Sequence, residues 1–138
     1  MGILHSCLYN KLRQSELVAI CDNTPINLRL LKSILPKVHL YEDYNQMLES
    51  SELDLVVITT PVFLHNRMAK KALEKGSAVF VEKPLALSAD ESQELVRLSK
   101  NSTISATILK LILRKPSATP KFSCTASRAT QTVINAPL

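Results

Sequence analysis

The sequence predicts an α/β protein, a doubly wound parallel sheet with helices on both faces. Two observations point there. First, residues 54–84, DLVVITTPVFLHNRMAKKALEKGSAVFVEKP, carry two β-rich apolar runs, Leu55–Ile58 and Ala78–Val81, around a segment of helical period. Met68, Ala69, Ala72 and Leu73 share one face of that segment, and Lys70, Lys71, Glu74 and Lys75 fall off it. Gly76 follows, where a helix C-cap wants a residue free to take positive φ. Strand, helix, strand in about thirty residues is a βαβ unit with a right-handed crossover. Second, both runs are apolar throughout rather than alternating, as strands buried on both faces are. In such a sheet ligands bind beyond the carboxyl ends of the strands. Those ends are Thr59-Thr60-Pro61 and Glu82-Lys83-Pro84.

The other elements follow in order. Residues 3–14 place Leu4, Cys7, Leu8 and Leu12 at helical spacing, with Lys11 and Arg13 outside. A short buried strand then runs from Leu17 to Cys21 and ends in Asp22. Thr24 is the expected cap of the next helix, with Pro25 at its first position. Ile26, Leu30, Leu31, Ile34 and Leu35 make its predicted apolar stripe, and Pro36 ends it. Val38–Tyr41 reads as a strand, and Asp43 caps a short helix bearing Tyr44, Met47 and Leu48. After Pro84, Ser88-Ala89-Asp90-Glu91 is a capping box opening a helix whose apolar residues are Leu95, Val96 and Leu98.

From Asn101 the character changes. Eleven Ser/Thr, three Pro and no acid are spread over 38 residues. An edge strand is expected within 103–113, and beyond Arg114 nothing keeps a period. The chain therefore divides into an α/β domain at 1–100 and a basic Ser/Thr/Pro-rich tail at 101–138.

Charge follows the same division. Residues 1–94 hold 10 Lys/Arg and all 12 Asp/Glu, a net −2, whereas residues 95–138 hold 7 Lys/Arg and no acid, a net +7. The basic balance belongs to the tail, whose one aromatic residue is Phe122, so there is no stacking platform for nucleic acid. Cys7, Cys21 and Cys124 are odd in number and widely spaced, which suits reduced thiols in a cytoplasmic protein rather than a disulfide or zinc framework. No run reaches the ~20 apolar residues of a membrane span. Met1 to Ser6 fits the loose N-myristoylation pattern with Cys7 nearby, but a helix start explains the same residues.

TTPVFLH followed by VFVEKPLALSADE resembles the nucleotide-binding half of the Gfo/Idh/MocA oxidoreductases (glucose–fructose oxidoreductase, inositol dehydrogenase and MocA). That family's mark is a strand ending in Thr-Pro, a His four residues after the Pro, and Glu-Lys-Pro after the next strand. The resemblance covers roughly residues 2–100 and implies a Rossmann-type sheet. In that fold the acid ending the second strand follows the glycine-rich turn by about 20 residues and hydrogen-bonds the adenosine ribose. Gly2 stands at that distance before Asp22, so Gly2 would be the last glycine of a fingerprint whose earlier part, with the first strand, is missing from the chain. His5 also matches the family, in which a His often follows the third glycine. A missing first strand is costly, because it is central and its loss opens two interior edges. The family's second, substrate-binding domain has no counterpart here.

The resemblance implies a site. Lys83 is the candidate catalytic residue, reaching the nicotinamide and the substrate hydroxyl. Gly2, Asp22, Thr59, Thr60, Pro61, His65, Glu82, Lys83 and Pro84 are the candidate cofactor-binding residues, and no metal is expected. A carboxylate at position 22 accepts ribose hydroxyls and repels a 2′-phosphate, favouring NAD over NADP. Val62 stands where the family commonly has Asn after the Pro. The Lys83–Pro84 bond is in the one sequence context where a cis bond is cheap. The implied function is the cofactor domain of an NAD(P)-dependent oxidoreductase acting on a sugar, polyol or cyclitol hydroxyl. The family assembles into oligomers; nucleic acid and membrane are not expected partners. The competing reading is an inactive nucleotide-binding fragment, and the isolated chain is expected to turn over weakly or not at all. A phospho-receiver domain is excluded, because the position about 30 residues before Thr60 is Leu30, inside a predicted helix, instead of a phosphoacceptor Asp.

Overall fold

The computed structural model describes residues 2–13 and 15–100 and the backbone of the strand Ala129–Asn135. Its elements in chain order are α1 (Gly2–Tyr9), β1 (Ser15–Asp22), α2 (Pro25–Ile34), β2 (His39–Tyr41), α3 (Tyr44–Ser50), β3 (Leu55–Ile58), α4 (Val62–Glu74), β4 (Ala78–Val81), α5 (Ala89–Lys100) and β5 (Ala129–Asn135). The edge strand expected within 103–113 lies outside the described residues, as does Cys124.

All five strands are parallel, in the order β2-β1-β5-β3-β4. The place between β1 and β3, for which the sequence offers no strand ahead of residue 15, is filled from the other end of the chain. β5 pairs along β1 from Ser15↔Ala129 to Asp22↔Asn135, and along β3 from Leu55↔Gln131 to Ile58↔Ile134. The two interior edges expected to lie open are thus both paired, so their backbone groups keep the partners that burial demands.

The sheet buries both faces, which is why β3 reads as an unbroken apolar run. Val56 and Ile58 join Ala19, Cys21, Met47, Met68, Ala72 and Leu95 under α3, α4 and α5. Leu55 and Val57 join Leu17, Ile20, Leu31 and Leu35 on the other face, with Ile3 and Tyr9 of α1 packed against them. Leu17 and Ile20 lie on one face although three residues apart, because the pairing with β5 slips between Leu17 and Ala19. An extra residue there flips the alternation.

Helix α1 buries a different face from the expected one, and α2 only one side of its expected stripe. Of the stripe assigned to α2, only Leu31 and Leu35 are buried, while Ile26, Leu30 and Ile34 are exposed. In α1, Leu4 and Leu8 face out, and the sheet side is lined by Gly2, Ser6 and Tyr9. A helix against one face of a short sheet covers only as many apolar residues as the sheet offers. The Thr24 side chain also makes no capping bond; Asp22 does that work, as described below. By contrast Asp43 Oδ1 accepts from Gln46 N at 2.8 Å, as its position predicts, and Gly76 ends α4 with φ at +87°.

Candidate active site

Parallel strands put every carboxyl end on one rim, and the candidate residues gather there. α1 starts at this rim, where His5 meets Glu82, and returns the chain to the opposite rim where β1 begins. Gly2, the first residue of α1, is buried, and its carbonyl accepts from Ser6 Oγ at 2.8 Å. Asp22 ends β1, Thr59-Thr60-Pro61 follow β3, and Glu82-Lys83-Pro84 follow β4. From β1 to β4 is three strand spacings across the sheet, about 14 Å. That is a span suited to an extended dinucleotide laid across the rim.

Asp22 is wholly buried. Its Oδ1 accepts from Thr24 N at 2.8 Å and its Oδ2 from Asn27 Nδ2 at 3.0 Å. The carboxylate thereby closes an Asx turn and anchors the first turn of α2. Beside it lies a cleft of about 250 Å³ lined by Cys21, Asn23, Asp43, Tyr44, Leu64 and Arg67. Burial, with the Asp43 and Asp22 carboxylates adding to it, pushes the Cys21 thiol up to about 12. Tyr44, whose hydroxyl donates to Met68 O at 2.7 Å, is likewise raised, mainly by burial.

Thr59 and Thr60 are buried under the rim. His65, one turn into α4, is placed otherwise than a cofactor ligand would be. Its ring is 1% exposed, with Nδ1 2.8 Å from Pro84 O and Nε2 2.7 Å from Thr60 O. Both nitrogens face main-chain carbonyls, which only accept, so the neutral ring donates to one of them and packs against the other; either way the ring is turned into the protein.

The turn after β4 leaves the sheet through one last ladder bond, Glu82 N to Ile58 O at 2.9 Å. Glu82 Oε1 lies 2.8 Å from His5 Nε2, and its Oε2 accepts from Lys83 N at 3.2 Å. His5 in turn lies against the rings of Tyr9 and Phe80, at centroid distances of 6.1 and 6.2 Å. Burial and the Glu82 carboxylate raise the Tyr9 phenol above its usual value. Lys83 itself is exposed at the crest of the turn, and the Lys83–Pro84 bond is cis. An exposed ammonium at the strand end can orient an alcohol and favour its ionised form.

Sequence reasoning placed Asp22 and Lys83 on one rim, and they are there. Two partners escaped it. Asn27 holds the acid from within α2, a short-range signal legible in the Asp-Asn-Thr-Pro-Ile-Asn run. The His5–Glu82 contact joins residues 77 apart and follows only from the topology. Among the described residues no group of three or more His, Cys, Asp or Glu could hold a metal ion, and no helix is long and apolar enough to cross a membrane.

Comparison with known proteins agrees with this architecture. The profile of an oxidoreductase family with an NAD-binding Rossmann fold matches residues 3–107. A glycosyl hydrolase family 109 protein of Shewanella sp. is 34% identical over 104 residues, covering 69% of this chain and 23% of its own. The scyllo-inositol 2-dehydrogenase (NAD(+)) of Bacillus subtilis is 48% identical over 52 residues, which are 38% of this chain and 15% of its own. Among solved structures, myo-inositol 2-dehydrogenase from Lactobacillus plantarum superposes with a TM-score of 0.68 at 31% identity, over 73% of this chain and 30% of that one. The chain thus spans less than a third of the length of each of these relatives. With strand order, rim and sequence in agreement, the chain belongs to the Gfo/Idh/MocA oxidoreductases, the family with the NAD-binding Rossmann fold.

Proposed function

We propose that this chain is the cofactor-binding part of an NAD-dependent oxidoreductase acting on a hydroxyl of a sugar, polyol or cyclitol. One observation carries the reading: Asp22 and Lys83 leave the same rim of a wholly parallel sheet, three strands apart. The adenosine end of NAD lies over the cleft between Asn23 and Leu64, with its ribose against the Asp22–Asn23 turn. The Asp22 side chain is covered, so the ribose reaches it only when the Asn23–Thr24 turn shifts outward. Gly2, at the start of α1, keeps the helix close where the pyrophosphate passes. Thr59, Thr60 and Pro61 form the floor of the crevice, and the nicotinamide end lies toward Lys83.

NAD supplies the hydride acceptor or donor. Lys83 does the rest that this chain can do: its ammonium holds the substrate oxygen and lowers the cost of its losing a proton. Titration of the chain with NADH, followed by nicotinamide fluorescence, tests the reading. Saturable binding that Asp22→Ala weakens supports it. Binding that never saturates, or that Asp22→Ala leaves unchanged, overturns it.

A further inference from the structure

We infer that His5 and His65 are positioning residues that brace the Glu82-Lys83-Pro84 turn from the two faces of the sheet, so that Lys83 is held without either histidine touching what it binds. The inference rests on Lys83 being the catalytic group. The ladder between β3 and β4 ends at the bond from Glu82 N to Ile58 O. Past that point the only main-chain hydrogen bond recorded for Lys83 among the described residues goes to the neighbouring Glu82 carboxylate, at 3.2 Å. A turn that has left the sheet would be loose unless side chains held it. Two do.

From one face, α1 delivers His5 Nε2 to Glu82 Oε1 at 2.8 Å. From the other, α4 delivers His65 Nδ1 to Pro84 O at 2.8 Å, and the same ring reaches Thr60 O at 2.7 Å. A neutral ring donates to one carbonyl only: with the proton on Nδ1, His65 bonds Pro84 O in the turn after β4 and packs its Nε2 edge against Thr60 O in the turn after β3. Lys83 lies between the two braces and is exposed, whereas His65 is 1% exposed and the His5 side chain 14%. Histidine suits the work because it is rigid and carries polar atoms on two sides of one ring. An asparagine in its place reproduces roughly the reach of Nδ1, and a glutamine that of Nε2. The two substitutions thus separate the brace on Pro84 from the tie to Thr60.

The test measures amide hydrogen exchange across residues 82–87 in the full chain, with His65→Asn, His65→Gln and His5→Phe. His65→Gln and His5→Phe should speed exchange at Lys83 and Leu85 about tenfold, the factor for losing one net hydrogen bond. His65→Asn should keep the parent rate even though its melting temperature falls as far as that of His65→Gln. NADH affinity gives a second readout: His65→Gln should add no loss to Lys83→Ala, since residues acting through one another are not additive. Equal exchange in the Asn and Gln variants, or additive losses, overturns the inference. If substitution at the buried position 65 prevents folding, His5→Phe, on a side chain already packed against rings, decides alone. Should NADH not bind the parent chain, the reading of the site fails while the exchange rates still judge the brace.

Discussion

Asp22 and Lys83 stand on the same rim, yet the two halves of the sheet treat them in opposite ways. β1 seals its acid inside, with Thr24 N and Asn27 Nδ2 closed on the carboxylate. β4 pushes its lysine out on a turn gripped from below by His5 and His65. The acid is structural first, because it shapes the turn beside the cleft in which the proposed function places adenosine. The lysine, exposed on its turn, carries almost no structural duty. Between them lies β5, the one strand hydrogen-bonded to both halves. Fixing the distance between the two ends of the crevice is therefore the work of residues 129–135.

That division can be broken most severely at its middle. Val133 pairs with Ile20 on one side and Val57 on the other, so Val133→Pro removes a ladder bond at the centre of the sheet. It should cost at least ~3 kcal/mol in urea unfolding, or abolish the cooperative transition. Near-parent stability would mean that β5 does not join the halves.

The contrast between the ends is sharpened by a pair of substitutions. Asp22→Ala strips the partners from Thr24 N and Asn27 and should destabilise the chain by about 1–3 kcal/mol. Lys83→Ala should stay within about 0.5 kcal/mol of the parent, as exposed substitutions do. Thermal melts of the two variants side by side check both values; equal losses would erase the distinction.

A smaller effect concerns the sealed half alone. The Cys21 thiol is held neutral, raised from 9.0 to about 12 by burial first and the neighbouring acids second. A thiol raised on folding favours the fold fully below its unfolded value and loses that contribution as the pH climbs through the folded one. Melting temperature should therefore decline between about pH 9 and pH 12. Ellman's reagent at neutral pH should label half-buried Cys7 and spare Cys21. Labelling of Cys21 at the rate of Cys7 would show the β1 end to be open.

The smallest effect lies on the outer helices. Lys70 Nζ donates to Glu94 Oε1 at 2.6 Å, across α4 and α5, with both side chains about two-fifths exposed. The hydrogen bond to Lys70, with a second from Asn66, lowers the Glu94 carboxyl, so its contribution is present above the unfolded pKa and is lost as the pH falls through the folded one. Solvent screens such a pair, and Glu94→Gln should leave the melt at neutral pH unchanged within error. A clear loss would assign the α4–α5 packing a role on the lysine side that nothing else requires.

What the sequence could reveal follows the same division. The β3–α4–β4 unit was legible because both strands are apolar on two faces, and the helix between them keeps its period through Met68, Ala69, Ala72 and Leu73. The strand tips followed from it, and with them the rim that Asp22 and Lys83 share. In α1 and α2 the period was real, but the face was wrong in α1 and too wide in α2, where only Leu31 and Leu35 of the stripe are buried. Leu4, Leu8, Ile26, Leu30 and Ile34 are exposed because each helix sits over a narrow sheet that its remaining residues already cover. β5 was hidden by composition. Ala-Thr-Gln-Thr-Val-Ile-Asn carries β-branched residues but lies in a Ser/Thr/Pro-rich stretch, and only pairing with β1 and β3 makes it a strand. His65 was expected to line the cofactor, but its ring faces two carbonyls from two different turns that the sequence does not bring together.

If one crevice has two ends with separate duties, calorimetric titration with ADP-ribose beside NADH tells them apart. ADP-ribose keeps the adenosine end and lacks the nicotinamide. Asp22→Ala should weaken both ligands, whereas Lys83→Ala should weaken NADH and leave ADP-ribose at the parent affinity. Equal weakening of both ligands by Lys83→Ala, or ADP-ribose affinity indifferent to Asp22→Ala, would contradict the account.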